Sequence, residues 1–287
     1  MEALSNFRAY GLTIASEFEI IGGTRLERVL PSADIIIAAG DTAIGDIEAI
    51  NGPYSRCGNG LLFDAAGIAR YFAPSPNHLF IEPYRNADAR QIGELLIATA
   101  LPMLIWMRGG IILHAAGIVP DGMDCAIAIT GPSGIGKSVL AGSLIEQGGR
   151  LVGDDSLWLT LRGNKSFISG LSATMFRAQG LNSPRTEIAI PPNSQKSEAE
   201  LGAIIALRIE SGAMQTTPRR LHGADAIEAF LQNRHRPKIP AILGLEAALL
   251  PQCMLHCQAL PIYGLTIRNG DIAGAQQQIA TLISGNL

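Results

Sequence analysis

The chain has 287 residues, and its 22 Lys and Arg against 25 Asp and Glu leave a formal net charge of −3. That length allows one large or two medium domains with ample core, and the near-neutral charge argues against nucleic acid or an anionic membrane as partner. The 47% hydrophobic content is ordinary for a soluble globular chain.

Met1-Glu2-Ala3 leads into a mixed polar stretch without the apolar run of a signal peptide. Residues 1–85 read as a strand-rich module. Tyr10 to Ile14 alternates weakly, and Phe18 to Ile21, Ala33 to Ala39, Gly60 to Phe63 and His78 to Glu82 are short apolar runs. Turn residues separate them at Gly22-Gly23, Gly40-Asp41, Asn51-Gly52-Pro53 and Pro74-Ser75-Pro76-Asn77. The module carries no catalytic constellation; it packs on the core or presents a substrate.

Asn86 to Met107 reads as a long helix opened by Asn86 or Asp88, kinked by Pro102 and ended by Gly109-Gly110. Its second half, Leu95 to Met107, is almost wholly apolar but shorter than the ~20 residues of a membrane span. Glu94 and Arg108 flank it, so a buried helix is expected. Ile111 to Val119 follows as a strand holding His114, and Pro120-Asp121-Gly122 turns the chain into a second strand, Cys125 to Thr130.

That strand runs into Gly131-Pro132-Ser133-Gly134-Ile135-Gly136-Lys137-Ser138, which fits the P-loop pattern G-x-x-x-x-G-K-[ST] at every fixed position. Val139 to Gln147 reads as the helix after it, stopped by Gly148-Gly149. Strand, glycine loop and helix make a phosphate cradle, because the glycines let several N–H groups converge on one anion and the helix N-terminus adds its positive end. In this reading Gly131, Ser133, Gly134, Ile135 and Gly136 line the cradle. Lys137 places a charge on the outer phosphates, and the Ser138 hydroxyl ligates Mg²⁺. Lys occurs at four positions only, so its place in the motif does not follow from Lys richness.

An apolar strand, Arg150 to Gly153, then ends in Asp154-Asp155. Adjacent carboxylates near bound phosphates suit Mg²⁺ and proton transfer, and each raises the other's proton affinity; a surface acidic turn is the alternative. Arg177 is a further candidate for stabilising charge. Downstream, Thr186 to Ile190 and Leu201 to Ile209 read as strands around a polar loop, Pro191 to Glu200. Gly223 to Gln232 is a short helix, and Asn233 to Lys238 a basic segment that contacts phosphate or is a solvated linker. Ile239 to Leu260 is helical with breaks at Pro240 and Pro251, followed by a strand, Pro261 to Ile267, and a helix, Asp271 to Ser284. Cys253-x-x-His256-Cys257 lacks a second ligand pair with zinc spacing and reads as helix packing. With no disulfide framework, a reducing cytoplasm is the expected compartment.

Three blocks in this order resemble the kinase domain of the HPr kinase/phosphorylase family: Leu113-His114-Ala115-Ala116, Gly131 to Ser138, and Val152-Gly153-Asp154-Asp155. The resemblance covers roughly the last two thirds of the chain. It implies an α/β (α+β) P-loop core like that of phosphoenolpyruvate carboxykinase, here residues 86–287, beside the smaller module of residues 1–85. It implies ATP and Mg²⁺ as cofactors, Asp154 as the base that takes a serine proton, and His114 and Asp155 close to the phosphates and metal. Catalysis would then fall to Asp154, His114 and Lys137, and metal binding to Ser138 and Asp155.

Three features depart from the bifunctional enzymes. The Arg-rich, glycine-containing signature after the carboxylates is absent from Phe167 to Glu210, Pro132 stands where many members have Asp, and the N-terminal module is unlike theirs. The layout is more similar to the HPr-kinase-like proteins of ribosomal and lasso-peptide biosynthesis, which phosphorylate a precursor peptide on serine. The expected partner is therefore a peptide or small protein with an acceptor serine, and the expected assembly a homo-oligomer. The alternatives are the HPr carrier protein as acceptor, a small-molecule kinase of the same fold, and a nucleotide-dependent switch without transfer. No guanine-specific Asn/Thr-Lys-x-Asp motif is present.

Overall fold

In a computed structural model of the chain, residues 4–27, 32–42, 45–178, 185–209, 217–268 and 271–285 are described. The side chains of Arg177, Ala178 and Arg185 are outside that set, so the role expected of Arg177 lies outside the described residues. The fold is mixed α/β in two compact units. One comprises Met1–Ile112 with Arg236–Leu249, and the other Leu113–His235 with Leu250–Leu287. The first unit thus takes in residues 86–112 along with the strand-rich module. No described helix is long and apolar enough to cross a membrane.

The first unit is built on one sheet of β1 (Ser5–Ala9), β2 (Leu12–Ser16), β3 (Thr24–Leu26), β4 (Ile35–Ala39), β5 (Ala49–Asn51), β6 (Tyr54–Cys57), β7 (Gly60–Ala65), β8 (Ala69–Ser75) and β9 (His78–Pro83). Their order is β3-β1-β2-β4-β9-β8-β7-β6-β5. The β2–β4 and β4–β9 pairs are parallel, and the remaining pairs antiparallel. Phe7, Ile14, Ile35, Ile37, Leu61, Tyr71, Leu79 and Ile81 are its buried layer. Two expectations change here. Phe18 to Ile21 is not a strand: Ile20 is a buried plug in a turn closed by Gly23 N–H donating to Ile20 O at 2.9 Å. Pro74-Ser75 are not turn residues but the last two of β8, where the register shifts between Phe72 and Ser75.

The expected long helix is three pieces, α1 (Ala89–Leu95), a π turn (Leu96–Ala100) and α2 (Leu101–Met107). Asp88 caps it by accepting from Arg90 N–H at 3.0 Å. Pro102 has no N–H to give the carbonyl of Ala98 four residues earlier, and that carbonyl instead accepts Arg236 Nε at 3.2 Å. Gly109, at φ +72°, ends α2 as expected.

The second unit begins at the end of β10 (Ile111–Leu113) and continues through β11 (Ala115–Val119), β12 (Ala126–Thr130), α3 (Lys137–Glu146), β13 (Arg150–Gly153), β14 (Leu157–Arg162), β15 (Lys165–Ser169), β16 (Thr174–Ala178), β17 (Arg185–Ala189), β18 (Glu198–Ile209), β19 (Arg219–Leu221) and α4 (Gly223–Gln232). After α5 (Lys238–Ile242), which belongs to the first unit, the chain returns at Leu250, within α6 (Glu246–Ala259), and continues through β20 (Ile262–Ile267) and α7 (Ile272–Ser284). The break before α6 falls at Gly244, φ +70°, rather than at Pro240, which sits inside α5.

The long strand β18 organises the sheet. One of its edges pairs with β15 over Glu198–Glu200 and in parallel with β20 from Ile204 to Ile209; its other edge pairs in parallel with β12. β11 joins β12 and β13, both antiparallel. Ile118, Ile127, Ile129, Ile205 and Leu265 of the sheet share one buried cluster with Leu140 and Leu144 of α3 and Ala275 and Ile279 of α7. This packing is what fixes the start of α3 beside the ends of β12 and β13.

Candidate active site

β12 is buried along its whole length and delivers the chain into residues 131–136, which turn sharply before α3. Gly131, Gly134 and Gly136 sit at φ +145°, +80° and +107°, a region that L side chains rarely enter. At Gly131 the reason is also steric, since a Cβ there would lie 2.8 Å from the Leu207 carbonyl oxygen. The α3 N-terminus has no side-chain cap, and Pro132, Ser133 and Gly134 are exposed beside it. Gly131 and Ile135 are buried and anchor the turn. Backbone donors thus stand at the open end of a ten-residue helix, the arrangement an anion needs.

Lys137, the first residue of α3, folds back over the loop. Its Nζ donates to Gly131 O at 2.9 Å and Pro132 O at 3.1 Å, and meets His114 Nε2 at 2.9 Å. An ammonium has donors only, so His114 Nε2 accepts and its Nδ1 carries the ring proton. That Nδ1–H donates to Asp155 O at 3.0 Å, with Asp155 Oδ1 3.5 Å away. His114 itself interrupts the strand expected over Ile111 to Val119. Its N–H donates to Asn233 O at 2.8 Å, and its carbonyl accepts from Thr130 Oγ1 at 2.8 Å, so neither group serves a continuous ladder.

Ser138 Oγ donates to Asp154 Oδ1 at 2.9 Å, and Asp154 Oδ2 accepts from Phe176 N–H of β16 at 3.1 Å. Asp154 is 7% exposed. Burial, and next the negative charge of Asp155, push its carboxyl up to about 6, against the pull of Phe176 N–H, Ser138 and Lys137. Asp155 has φ +77°, an uncommon backbone for a residue other than glycine. That turn sends two consecutive carboxylates to different partners: Asp154 faces Ser138, and Asp155 faces His114. The structure therefore sets Ser138 against Asp154 rather than against Asp155, with which it was expected to share the metal. The Ser138 hydroxyl is a hard oxygen donor at the start of α3, a ligand type that fits Mg²⁺ shared with phosphate oxygens.

The sequence reading missed His235. It lies in the basic segment after α4, yet it is 4% exposed, and its ring centroid is 5.6 Å from that of His114. Nothing local marks it, because its neighbours Arg234 and Arg236 suggest solvent. The Cys253-x-x-His256-Cys257 segment is packing: Cys253 is buried, neither cysteine forms a disulfide, and His256 Nδ1 shares a 2.8 Å hydrogen bond with Ser166 Oγ.

No family model matches the sequence, and no curated protein matches it. Among solved structures, the HPr(Ser) kinase/phosphatase from Coxiella burnetii matches with a TM-score of 0.39 and 17% identity, over 61% of this chain and 88% of that one. A likeness at that level does not bear on activity.

Proposed function

We propose that the chain is an ATP- and Mg²⁺-dependent serine kinase that moves the γ-phosphate of ATP to a serine of a peptide or small protein. The observation that carries this reading is the 2.9 Å contact between Ser138, the last residue of the glycine motif and the second of α3, and Asp154, the buried carboxylate at the end of β13. It brings the nucleotide motif and a base of raised proton affinity into one place. The order of the three sequence blocks supports a serine acceptor, and the similarity in layout supports a ribosomal precursor peptide.

The loop N–H groups and Lys137 would hold the phosphates once Lys137 leaves the carbonyls of Gly131 and Pro132. Asp154 would take the proton from the serine hydroxyl as that oxygen bonds to the γ-phosphorus and the bond to the β-phosphate oxygen breaks, releasing ADP. Mg²⁺, held by Ser138 and the phosphate oxygens, would neutralise charge on the phosphates. Positioning and electrostatics carry most of phosphoryl transfer, so this small set suffices.

The test is incubation of the full chain with ATP, Mg²⁺ and a panel of serine peptides, read by mass spectrometry. Added phosphate on serine, absent with Lys137→Ala, is the expected result. ATP hydrolysis without any phosphorylated acceptor would favour a nucleotide-dependent switch instead.

A further inference from the structure

We propose that His114, Asp155 and His235 form a binding site for a divalent transition-metal ion of the zinc and cobalt kind. Each offers one ligand atom, and these atoms lie within 4.8 Å of one another. His114 Nδ1 and Asp155 Oδ1 are already 3.5 Å apart. Ligands placed tetrahedrally at Zn–N and Zn–O lengths of about 2.0–2.1 Å stand roughly 3.3–3.4 Å from each other. One pair thus has the required spacing, and the third ligand needs a shift on the order of 1 Å. Two imidazoles with one carboxylate suit a borderline transition ion, whereas Mg²⁺ prefers an all-oxygen set.

The three residues come from separate segments that the backbone ties together. Leu113 and Arg234 form an antiparallel bridge, and His114 N–H donates to Asn233 O at 2.8 Å, which holds the His235 segment against His114. The Asp155 carbonyl accepts from His114 Nδ1 at 3.0 Å. His235 is buried, while the His114 and Asp155 side chains are 24% and 23% exposed, so water can reach the fourth position that three-ligand zinc sites leave open.

The site is coupled to the glycine loop through Lys137. A neutral imidazole has one acceptor nitrogen, and that of His114 now accepts from Lys137 Nζ at 2.9 Å. An ion on Nε2 displaces the ammonium. An ion on Nδ1 moves the ring proton to Nε2, where it faces the ammonium donor to donor. Either way, the ion and the present position of Lys137 exclude each other.

The experiment uses the full chain without nucleotide, so its outcome is independent of whether the chain is a kinase. Co²⁺ is titrated by visible absorption and Zn²⁺ by calorimetry. One ion per chain is expected, with the intense visible bands of four-coordinate Co²⁺. His235→Gln should weaken binding by about tenfold or more and remove those bands. Asp155→Asn, at a partly exposed position, should weaken binding likewise; it keeps the test decisive if thermal melting shows His235→Gln unfolded. Lys137→Met should tighten binding, because it removes the competing ammonium. A Co²⁺ spectrum unchanged from the aqueous ion, or wild-type affinity in folded His235→Gln or Asp155→Asn, would overturn the site. Unchanged affinity in Lys137→Met would overturn the coupling.

Discussion

Lowering the pH should destabilise this protein through His256. The ring is buried, stacks on Phe230 with centroids 6.0 Å apart, and bonds Ser166 Oγ at 2.8 Å. Burial lowers its pKa from 6.5 to about 4. A depressed value means that its contribution is fully present above 6.5 and is lost as pH falls through about 4. At roughly 1.36 kcal/mol per unit, this shift corresponds to about 3 kcal/mol. Asp154 works in the opposite direction. Its raised pKa contributes stability below 3.8 that is lost as pH rises through about 6, so the wild-type curve alone mixes the two. His256→Asn keeps a polar partner for Ser166 but does not titrate. Denaturant unfolding of both proteins between pH 7 and pH 4 isolates the imidazole. The wild type should lose about 3 kcal/mol more than the variant over that range, mostly below pH 6. Parallel curves would refute the account of His256 as a neutral buried ring.

Gly131→Ala should both destabilise the fold and abolish ATP binding, since its Cβ would meet the Leu207 carbonyl at 2.8 Å and its φ is +145°. Gly163→Ala, at φ +61° with open space around it, should cost stability only, about 1 kcal/mol, and leave ATP affinity unchanged by calorimetry. The chain should bind GTP no more tightly than ATP in a competition titration, because no guanine-specific motif is present. Phosphorylated acceptor incubated with phosphate or pyrophosphate should remain phosphorylated, because the signature of the reverse reaction is absent from Phe167 to Glu210.

The glycine loop and α3 were legible because the motif residues specify backbone geometry directly: three glycines take positive φ, and Lys137 opens the helix. The pairing of Ser138 with Asp154 was half legible. Adjacent carboxylates can be read from a sequence, but which of them faces the loop depends on the positive φ of Asp155. His114 was expected inside a continuous strand and instead interrupts it, because its backbone partners, Asn233 and Thr130, come from distant segments. His235 was hidden for a related reason. Its flanking arginines suggest solvent, while the bridge between Leu113 and Arg234 carries it inside. The π turn before Pro102 escaped because periodicity does not say where a carbonyl freed by proline finds a donor; here Arg236 supplies it from far along the chain.

The central claim is that Asp154 serves as the base of phosphoryl transfer. Asp154→Asn keeps the size of the side chain and an oxygen for Ser138, but removes the basic carboxylate at neutral pH. ATP·Mg²⁺ affinity and the rate of serine-peptide phosphorylation are measured on the same preparation. The account predicts nearly unchanged affinity with transfer slowed by about a hundredfold or more, within the ~10²–10⁴ that general-base loss costs. A fully active Asp154→Asn enzyme would contradict it.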